Sequence, residues 1–169
     1  NGFEVLDAMR LSETLRAVPV IVLTSQMLAE REMQLLNQGV NAVLEKGLFS
    51  AEETLLHLEA ALGRSKHLGS EARRLARLAM AFIHEHYRDP VSRKDLAEAA
   101  GVSQEYLSTC FHRETGVTPS DYLERYRIKQ ARRLLETTDL PVTRVALEVG
   151  FFDSSYFGRV FRRDVGVSP

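Results

Sequence analysis

The feature that most constrains the fold of this chain is an internal repeat in its C-terminal half. The segment SQEYLSTCFHRETGVTP (103–119) is matched 50 residues later by DSSYFGRVFRRDVGVSP (153–169). The matched pairs are Tyr106 with Tyr156, Leu107 with Phe157, Cys110 with Val160, Phe111 with Phe161, Arg113 with Arg163, Gly116 with Gly166 and Pro119 with Pro169. A repeated pattern predicts one small structural unit built twice, and two copies are too few for a solenoid.

Each copy is expected to be a helix, a tight turn and a second helix. Upstream of the turn the separation is 49 residues, and Ala97 and Ala146 are small enough to let the two helices cross closely. A turn glycine and a residue that caps the second helix occur in both copies: Gly101 with Ser103, and Gly150 with Asp153. This order is typical of a helix-turn-helix motif, and two copies are stronger evidence than one.

The second helix of the second copy has two unlike faces. The residues predicted to form one apolar stripe against a core are Tyr156, Phe157, Val160 and Phe161. The small, polar or basic residues of its other faces are Ser154, Ser155, Gly158, Arg159 and Arg162. Such a surface suits a flat partner that carries acceptors and negative charge. The alternative is the ordinary solvated face of a packing helix.

A long basic helix is predicted between the two copies, over 119–138. Its expected packing residues are Leu123, Ala131, Leu134 and Leu135, and its basic residues are Arg125, Arg127, Lys129, Arg132 and Arg133. We expect a rigid rod that fixes the separation of the two motifs. The helices predicted after residue 69 lie near 71–87, 93–100, 104–114, 119–137, 143–149 and 154–165, which makes 70–169 an all-α domain.

The first 63 residues have a different pattern. Helices and strands alternate in the order helix 2–17, strand 19–24, helix 27–38, strand 41–46 and helix 50–62. The apolar run PVIVLT predicts a strand buried on both faces, and the alternation predicts a parallel sheet with crossover helices. Two strands are too few for an independent fold. The segment RSKHLG (64–69) is a predicted linker between 1–63 and 70–169.

Charge and composition exclude some functions. The net charge is −1, and it divides into 6 Lys and Arg against 9 Asp and Glu in residues 1–69, and 16 against 14 in residues 70–169. Any basic surface is therefore local. No apolar run is long enough for a membrane span and no signal peptide is seen, and with Cys110 as the only cysteine we expect a cytoplasmic protein. No GxSxG, HExxH or CxxC motif is present, and His84 and His86 lie on different helix faces, so we expect neither an enzyme nor a metal site.

Residues 70–169 closely resemble the AraC-type DNA-binding domain of bacterial transcription regulators, over both motifs and the helix between them. The segment VGFFDSSYFGRVFRRDVGVSP is close to the most specific signature of that family. In the family, each second helix enters a major-groove segment on one face of the duplex. The resemblance therefore implies double-stranded DNA as the partner.

The resemblance assigns two sets of DNA contacts. The residues that would face bases are Glu105, Ser108 and Thr109 in the first motif and Ser154, Ser155, Gly158 and Arg159 in the second. The residues that would contact phosphates are His112, Arg113, Arg162 and Arg163. Arg159 is the best base reader, because Arg donates a bidentate pair to guanine. The hydroxyl groups that would contact either bases or phosphates are those of Ser108, Thr109, Ser154 and Ser155. Glu105 either accepts from a cytosine amine or repels phosphates, and Gly158 reflects either close approach of the groove or a neutral surface position. For Arg113 and Arg163, an ion pair within the domain is an equal alternative.

Residues 1–63 resemble the C-terminal half of a response-regulator receiver domain, which has a flavodoxin-like α/β fold. Thr24 matches the hydroxyl residue that contacts the phosphoryl group, and Lys46 matches the lysine that pairs with it. Val43 and Gly47 depart from the family, in which an aromatic switch residue and a proline are typical of these two positions. We expect the phosphoacceptor and the metal-binding acidic residues to lie upstream of Asn1, in a longer protein. We therefore expect no cofactor in this chain, because a divalent metal such as Mg²⁺ would need those residues.

The two resemblances together predict a sequence-specific transcription regulator of a two-component phosphorelay. Its further partners would be a cognate histidine kinase or other phosphodonor domain, acting through a complete receiver, and a second copy in a homodimer. Two alternatives stay open. One is the C-terminal output part of a hybrid sensor histidine kinase. The other is a protein-interaction module, in which a degenerate receiver binds a partner and the helical region has little DNA affinity.

Overall fold

Helices dominate the chain, as the sequence predicts. The computed structural model describes residues 2–25, 28–37, 39–63 and 70–169, so the predicted linker at 64–69 lies outside the described residues and the domain division there stays a prediction. The elements are α1 (Gly2–Leu11), β1 (Ile21–Thr24), α2 (Glu30–Leu36), β2 (Ala42–Glu45), α3 (Ala51–Gly63), α4 (Ser70–His86), α5 (Arg93–Ala100), α6 (Gln104–Thr115), α7 (Pro119–Thr137), α8 (Val142–Glu148) and α9 (Ser154–Val165). The predicted bounds of α5, α7 and α9 are confirmed at both ends. None of the described helices is both long and apolar enough to cross a membrane.

The first two helices are shorter than predicted. Helix α1 ends at Leu11 and not at residue 17, because local hydroxyl groups offer the backbone other partners. The Ser12 and Thr14 hydroxyls lie 3.0 Å apart, and the Ser12 hydroxyl accepts from the Leu15 amide at 3.4 Å. Helix α2 begins at Glu30, because a carboxylate of its first turn accepts from the backbone amide just before the helix. Residues 26, 27 and 38 lie outside the described residues.

The predicted parallel pairing is confirmed. Strands β1 and β2 run in parallel from the pair Ile21 and Ala42 to the pair Thr24 and Glu45. The prediction that β1 is buried on both faces is wrong, since the Leu23 side chain is 46% exposed. Within the described residues β1 pairs with β2 alone, and an open groove of about 550 Å³ lies between α1, β1 and α2. The described chain therefore leaves part of this strand uncovered.

Helix α4 lies at the centre of the packing. It contacts α5, α6 and α7, and it also contacts α2 of the first half. The residues of its inward face, all but completely buried, are Leu75, Ala76, Ala79 and Ile83. The small alanines let neighbouring helices approach α4 closely. One hydrophobic cluster consequently runs from Leu6 in α1 to Phe161 in α9, so the α/β half and the helical half share a core.

The predicted packing face of α7 is correct but incomplete. The predicted residues, all at least partly buried, are Leu123, Ala131, Leu134 and Leu135. The structure adds Tyr122 and Tyr126, which are among the largest fully buried side chains. The ring of Tyr126 stacks on His84 with centroids 4.4 Å apart, and the Tyr122 hydroxyl lies 3.1 Å from His84 Nε2. Tyrosine is ambiguous in a hydrophobic pattern, because it combines an apolar ring with a polar hydroxyl group. The Tyr122 hydroxyl has hydrogen-bond partners, whereas Tyr126 is held by the packing of its ring.

A buried carboxylate joins the two halves of the chain. Glu45, the last residue of β2, has one oxygen 3.1 Å from His84 Nε2 and the other 2.5 Å from Lys129 Nζ. The Tyr122 hydroxyl donates to the same carboxylate at 3.4 Å. Arg77 of α4 adds a second contact between the halves by donating to the Val40 carbonyl at 2.9 Å. Partners of this kind offset the large cost of removing a charge from water.

The pKa of Glu45 is the balance of opposed effects. Burial by itself raises the pKa of Glu45, but hydrogen bonding and charge from His84 and then Lys129 outweigh burial, so this pKa lies below its ordinary value. A carboxyl group whose pKa is lowered by folding contributes stability above its unfolded pKa, and that contribution is lost as the pH falls through the folded pKa. Glu45 therefore stabilises the fold at neutral pH and ceases to do so in acid.

We expect Glu45→Gln to lower the free energy of unfolding by about 3–5 kcal/mol at pH 7, because it removes one partner of a buried ion pair. Urea denaturation followed by circular dichroism measures this change. As the pH is lowered past the folded pKa of Glu45, the difference between the wild type and the variant should shrink.

Glu53→Gln is the matched control for this experiment. Its carboxylate pairs with Arg125 at 3.0 Å, also between the two halves, but both side chains are partly exposed. A pair of this kind is expected to contribute at most about 1 kcal/mol. Equal losses for the two variants at pH 7 would contradict the special weight given to Glu45.

Candidate nucleic-acid interface

The second helix of each motif is anchored by buried apolar residues. In α9 the predicted stripe is confirmed for Phe157, Val160 and Phe161, and in α6 the equivalent residues Leu107, Cys110 and Phe111 are buried. The prediction is wrong for Tyr156, which is 41% exposed and donates its hydroxyl to Glu124 of α7. A phenol at the edge of an apolar stripe can turn outward where a carboxylate on a neighbouring helix accepts a hydrogen bond from its hydroxyl group.

Both second helices begin at the predicted caps. The Ser103 hydroxyl accepts from the Tyr106 amide at 3.3 Å. The Asp153 carboxylate accepts from the Ser155 and Tyr156 amides at 2.8 and 2.9 Å, and these hydrogen bonds lower the pKa of Asp153. The caps fix where each helix starts and therefore which residues its outward face presents.

The predicted base-facing residues are all accessible to solvent. Those that are exposed are Glu105, Thr109, Ser154, Ser155 and Arg159, and those of intermediate exposure are Ser108 and Gly158. The Thr109 hydroxyl donates to the Glu105 carbonyl at 2.9 Å, which leaves its lone pairs to accept from a ligand. The Arg159 guanidinium lies 5.8 Å from the centre of the Tyr156 ring, a cation–π distance that steadies it on the outer face. Their contacts with bases stay a prediction.

The predicted phosphate contacts are also exposed, but they differ in their intramolecular partners. Arg163 donates to Glu124 at 2.9 Å and to Asp164 at 2.7 Å, and these carboxylates raise the pKa of Arg163. For Arg163 the structure thus shows the intradomain ion pair that the sequence left as an alternative. Arg162, in contrast, has no ion-pair partner among the described residues. The exposed side chains of His112 and Arg113 lie toward the C-terminal end of α6.

The basic residues of α7 are used largely inside the molecule. Arg125 pairs with Glu53, and Lys129 pairs with Glu45. Arg127 donates to the Tyr87 carbonyl at 2.7 Å and to the Asp89 carbonyl at 2.8 Å. The sequence pattern predicted a basic rod but could not indicate that these cations face protein acceptors.

The predicted phosphoryl contacts lie side by side at one edge of the small sheet. Thr24 ends β1, Lys46 follows β2, and the Lys46 amide donates to the Thr24 carbonyl at 2.7 Å. The Lys46 side chain is exposed. Their contact with a phosphoryl group stays a prediction. In the part of the chain that the structure describes, no group of three or more His, Cys, Asp or Glu side chains could hold a metal ion.

Two positioning features were missed by the sequence analysis. Glu124 bonds both Tyr156 and Arg163 and so ties α9 to α7. Gly150 in the turn of the second motif has no room for a side chain, since an added Cβ would lie 2.6 Å from the Tyr87 carbonyl oxygen. The glycine itself was visible in the repeat, but the neighbour that crowds it lies far away in sequence.

Two helix-turn-helix motifs joined by one long helix place this protein in the helix-turn-helix class. Residues 96–169 match the family model described as a helix-turn-helix domain. The HTH-type transcriptional activator RhaS of Enterobacter sp. is 37% identical over 124 residues, which are 72% of this chain and 45% of that protein. The chain spans about half the length of the curated relatives it matches.

Solved structures agree with these sequence matches. The C-terminal domain of the two-component response regulator YesN from Fusobacterium nucleatum is 34% identical, with a TM-score of 0.52 over 54% of this chain and 90% of that chain. The DNA-binding domain of the global transcriptional factor AdpA, solved with a target DNA, is 36% identical, with a TM-score of 0.53 over 56% of this chain and 85% of that chain. The helical part of the chain is a helix-turn-helix domain of the AraC-type family.

We expect Arg159→Ala to weaken specific DNA binding by about 1–3 kcal/mol and to relax the preference at one base pair, because a base-reading Arg is lost. Arg162→Ala is the matched control, since it removes one positive charge from the same helix. It should weaken binding to all sequences alike and reduce the salt slope by about one unit. Fluorescence anisotropy with specific and random duplexes at several salt concentrations measures both. If Arg159→Ala loses affinity equally on both duplexes, Arg159 contacts only phosphate.

We expect Gly158→Ala to raise the free energy of unfolding by about 1 kcal/mol, because alanine favours a helix interior more than glycine does. The added Cβ meets nothing within 4 Å, so no clash opposes this gain. DNA affinity should nevertheless fall, because the methyl group blocks close approach of the groove. Urea denaturation and anisotropy on the same sample separate the two effects. A more stable variant with unchanged affinity would mean that Gly158 is a neutral surface position.

Proposed function

We propose that the chain is the DNA-binding part of a sequence-specific transcription regulator. Helices α6 and α9 enter successive major-groove segments on one face of duplex DNA. The observation that carries this proposal is that both helices are anchored on one body by buried apolar residues, while their opposite faces are open to solvent. Membership of the AraC-type family supports it, as does the target DNA in the structure of the similar AdpA domain.

The two faces divide the work of recognition. Arg159, supported by Ser154 and Ser155, reads base edges in the second segment, and Glu105 with its neighbours on α6 reads the first. Arg162 and His112 contact phosphates, which adds affinity but no sequence preference. Glu105 narrows the choice in the first segment, because a carboxylate in the groove accepts from a cytosine amine and is repelled by phosphates. The proposed place of action is the cytoplasm, where the duplex DNA of a bacterium lies.

For the α/β half we propose a receiver-like role in a two-component system. The placement of Thr24 and Lys46 at one strand edge supports this role. The similarity of the helical part to the C-terminal domain of the two-component response regulator YesN also supports it. A histidine kinase or another phosphodonor domain would then be the partner of a complete receiver, either within a response regulator or at the end of a hybrid sensor kinase, and a homodimer would be the active species.

A protein-interaction module is the second candidate function. The net charge of −1 and the exposed Glu105 favour it, because both weaken attraction to phosphates. In this case the uncovered groove between α1, β1 and α2 would bind the partner. Salt-dependent binding to duplex DNA separates this candidate from the first.

We expect hydroxyl-radical footprinting on a duplex selected from a random pool to show two protected patches per monomer, about one helical turn apart on one face. The two patches follow from two readers held at a fixed separation by α7. Binding should weaken steeply with salt, as phosphate contacts release counterions. One patch per monomer would contradict the tandem-reader arrangement, and no footprint at low salt would leave the interaction module as the better proposal.

A further inference from the structure

Three segments that are distant in sequence meet at the C-terminal end of α4. Helix α4 ends at His86, and residues 87–89 form the turn that follows it. Arg127 of α7 binds two carbonyl groups of this turn: Nε donates to the Tyr87 carbonyl at 2.7 Å, and Nη2 donates to the Asp89 carbonyl at 2.8 Å. A planar guanidinium with donors on two edges can hold two carbonyls at a fixed angle, which a flexible single-point ammonium cannot.

The turn of the second motif closes on the same point. An added Cβ at Gly150 would lie 2.6 Å from the Tyr87 carbonyl oxygen, 2.9 Å from the Arg88 carbonyl oxygen and 3.0 Å from Arg127 Nε. The buried ring of Phe151, the next residue, has its centre 5.8 Å from the same guanidinium. We name this junction of Arg127, the 87–89 carbonyls and the 150–151 turn the clasp.

The first motif provides an internal control for the clasp. Gly101 is its matching turn glycine and also has a positive φ, but an added Cβ there meets nothing within 4 Å. The close packing at Gly150 is therefore not a requirement of the helix-turn-helix turn itself. The close packing arises because the turn of the second motif contacts the segment that follows α4, and α4 packs on the first motif.

The clasp lies where it can fix the distance and the angle between the two motifs. Helix α4 packs on α5 and α6 of the first motif, whereas α8 and α9 of the second motif pack on α7. Any rotation of α7 against the end of α4 changes the distance and the angle between α6 and α9. The clasp joins α4, which carries the first motif, directly to α7, which carries the second. At this point the planar guanidinium of Arg127 holds backbone carbonyl groups.

We propose that Arg127 is a positioning residue that sets the base-pair spacing at which the two readers engage DNA. It does so by locking the second motif against the end of α4, without touching DNA. This inference rests on the proposed function, since spacing has meaning only for two readers on one duplex. One inserted base pair moves the second half-site about 3.4 Å along the duplex and about a tenth of a turn around it, so a rigid pair of readers must discriminate against it.

The test compares wild type, Arg127→Gln and Arg132→Gln on duplexes that carry the two half-sites with the selected spacer or with one base pair added or removed. Wild type should lose about tenfold in affinity for one base pair of change, which is comparable to the effect of a mismatched base pair. Arg127→Gln should lose less than about threefold between spacers, because the second motif is free to adjust. Arg132→Gln is the control on the same helix, since Arg132 is exposed and its ion pair within the described ranges is with Glu136, at 3.9 Å. It should keep the wild-type profile.

Two further measurements test the proposed role of Arg127: binding to a duplex with one half-site, and the spacer profile of Arg127→Lys. On a duplex with one half-site, Arg127→Gln should bind as wild type does, because the reading faces are unchanged. Arg127→Lys keeps the charge but not the fork, and it should restore spacer discrimination only in part. A wild-type spacer profile in folded Arg127→Gln overturns the proposal, as does full rescue by lysine. If Arg127→Gln does not fold, the lysine variant decides the matter alone.

A readout without DNA separates this inference from the proposed function. Spin labels on Thr109→Cys and Ser155→Cys, introduced together with Cys110→Ala to remove the native thiol, report the distance between α6 and α9 by pulsed electron paramagnetic resonance. The distance distribution should be narrow in the otherwise wild-type chain and in Arg132→Gln, and it should broaden in Arg127→Gln. A narrow distribution in Arg127→Gln refutes the clasp even if the chain binds DNA. A broad one supports the clasp even if no duplex is bound and the proposed function fails.

Discussion

Burial of α7 is the interaction on which the rest of the molecule depends. Tyr122 and Tyr126 fill the space between this helix and α4, and their rings pack on His84. Because α6 and α9 are both seated on the same core, each second helix can turn its polar face outward without losing its anchor. The solvent-exposed faces of α6 and α9 suggest DNA binding, and they can stay exposed because the opposite faces of both helices are buried.

The same core extends into the α/β half, and this changes how the two halves relate. Glu45 places a charge from the end of β2 between α4 and α7, and the Glu53–Arg125 pair adds a contact at the rim. A shift at the strand edge that carries Lys46 would therefore disturb the ion pairs that hold α7. Only a few side chains therefore separate the strand edge that carries Thr24 and Lys46 from the helices that carry the two motifs.

Much of the fold could be predicted because its signals are local. Caps such as Asp153, glycine stops and apolar spacing fixed the bounds of α5, α7 and α9, and the repeat predicted the two motifs. What failed depends on contacts between residues distant in sequence. The exposure of Leu23 depends on which strands and helices cover β1, and the outward turn of Tyr156 depends on Glu124 of another helix. The role of Arg127 is likewise invisible until the end of α4 is placed beside it.

The inward use of the α7 cations has a consequence for how such a protein would search a chromosome. Each phosphate contact adds about 0.9 to the slope of affinity against salt. Arg125, Arg127 and Lys129 are occupied by acceptors of the molecule itself, so under the proposed function they would add little to the binding of DNA of arbitrary sequence. A genome offers about 10⁶–10⁹ such competing sites. Copies that leave these sites quickly remain available to the operator, and discrimination then rests on the fit of two helices rather than on the total charge of the surface.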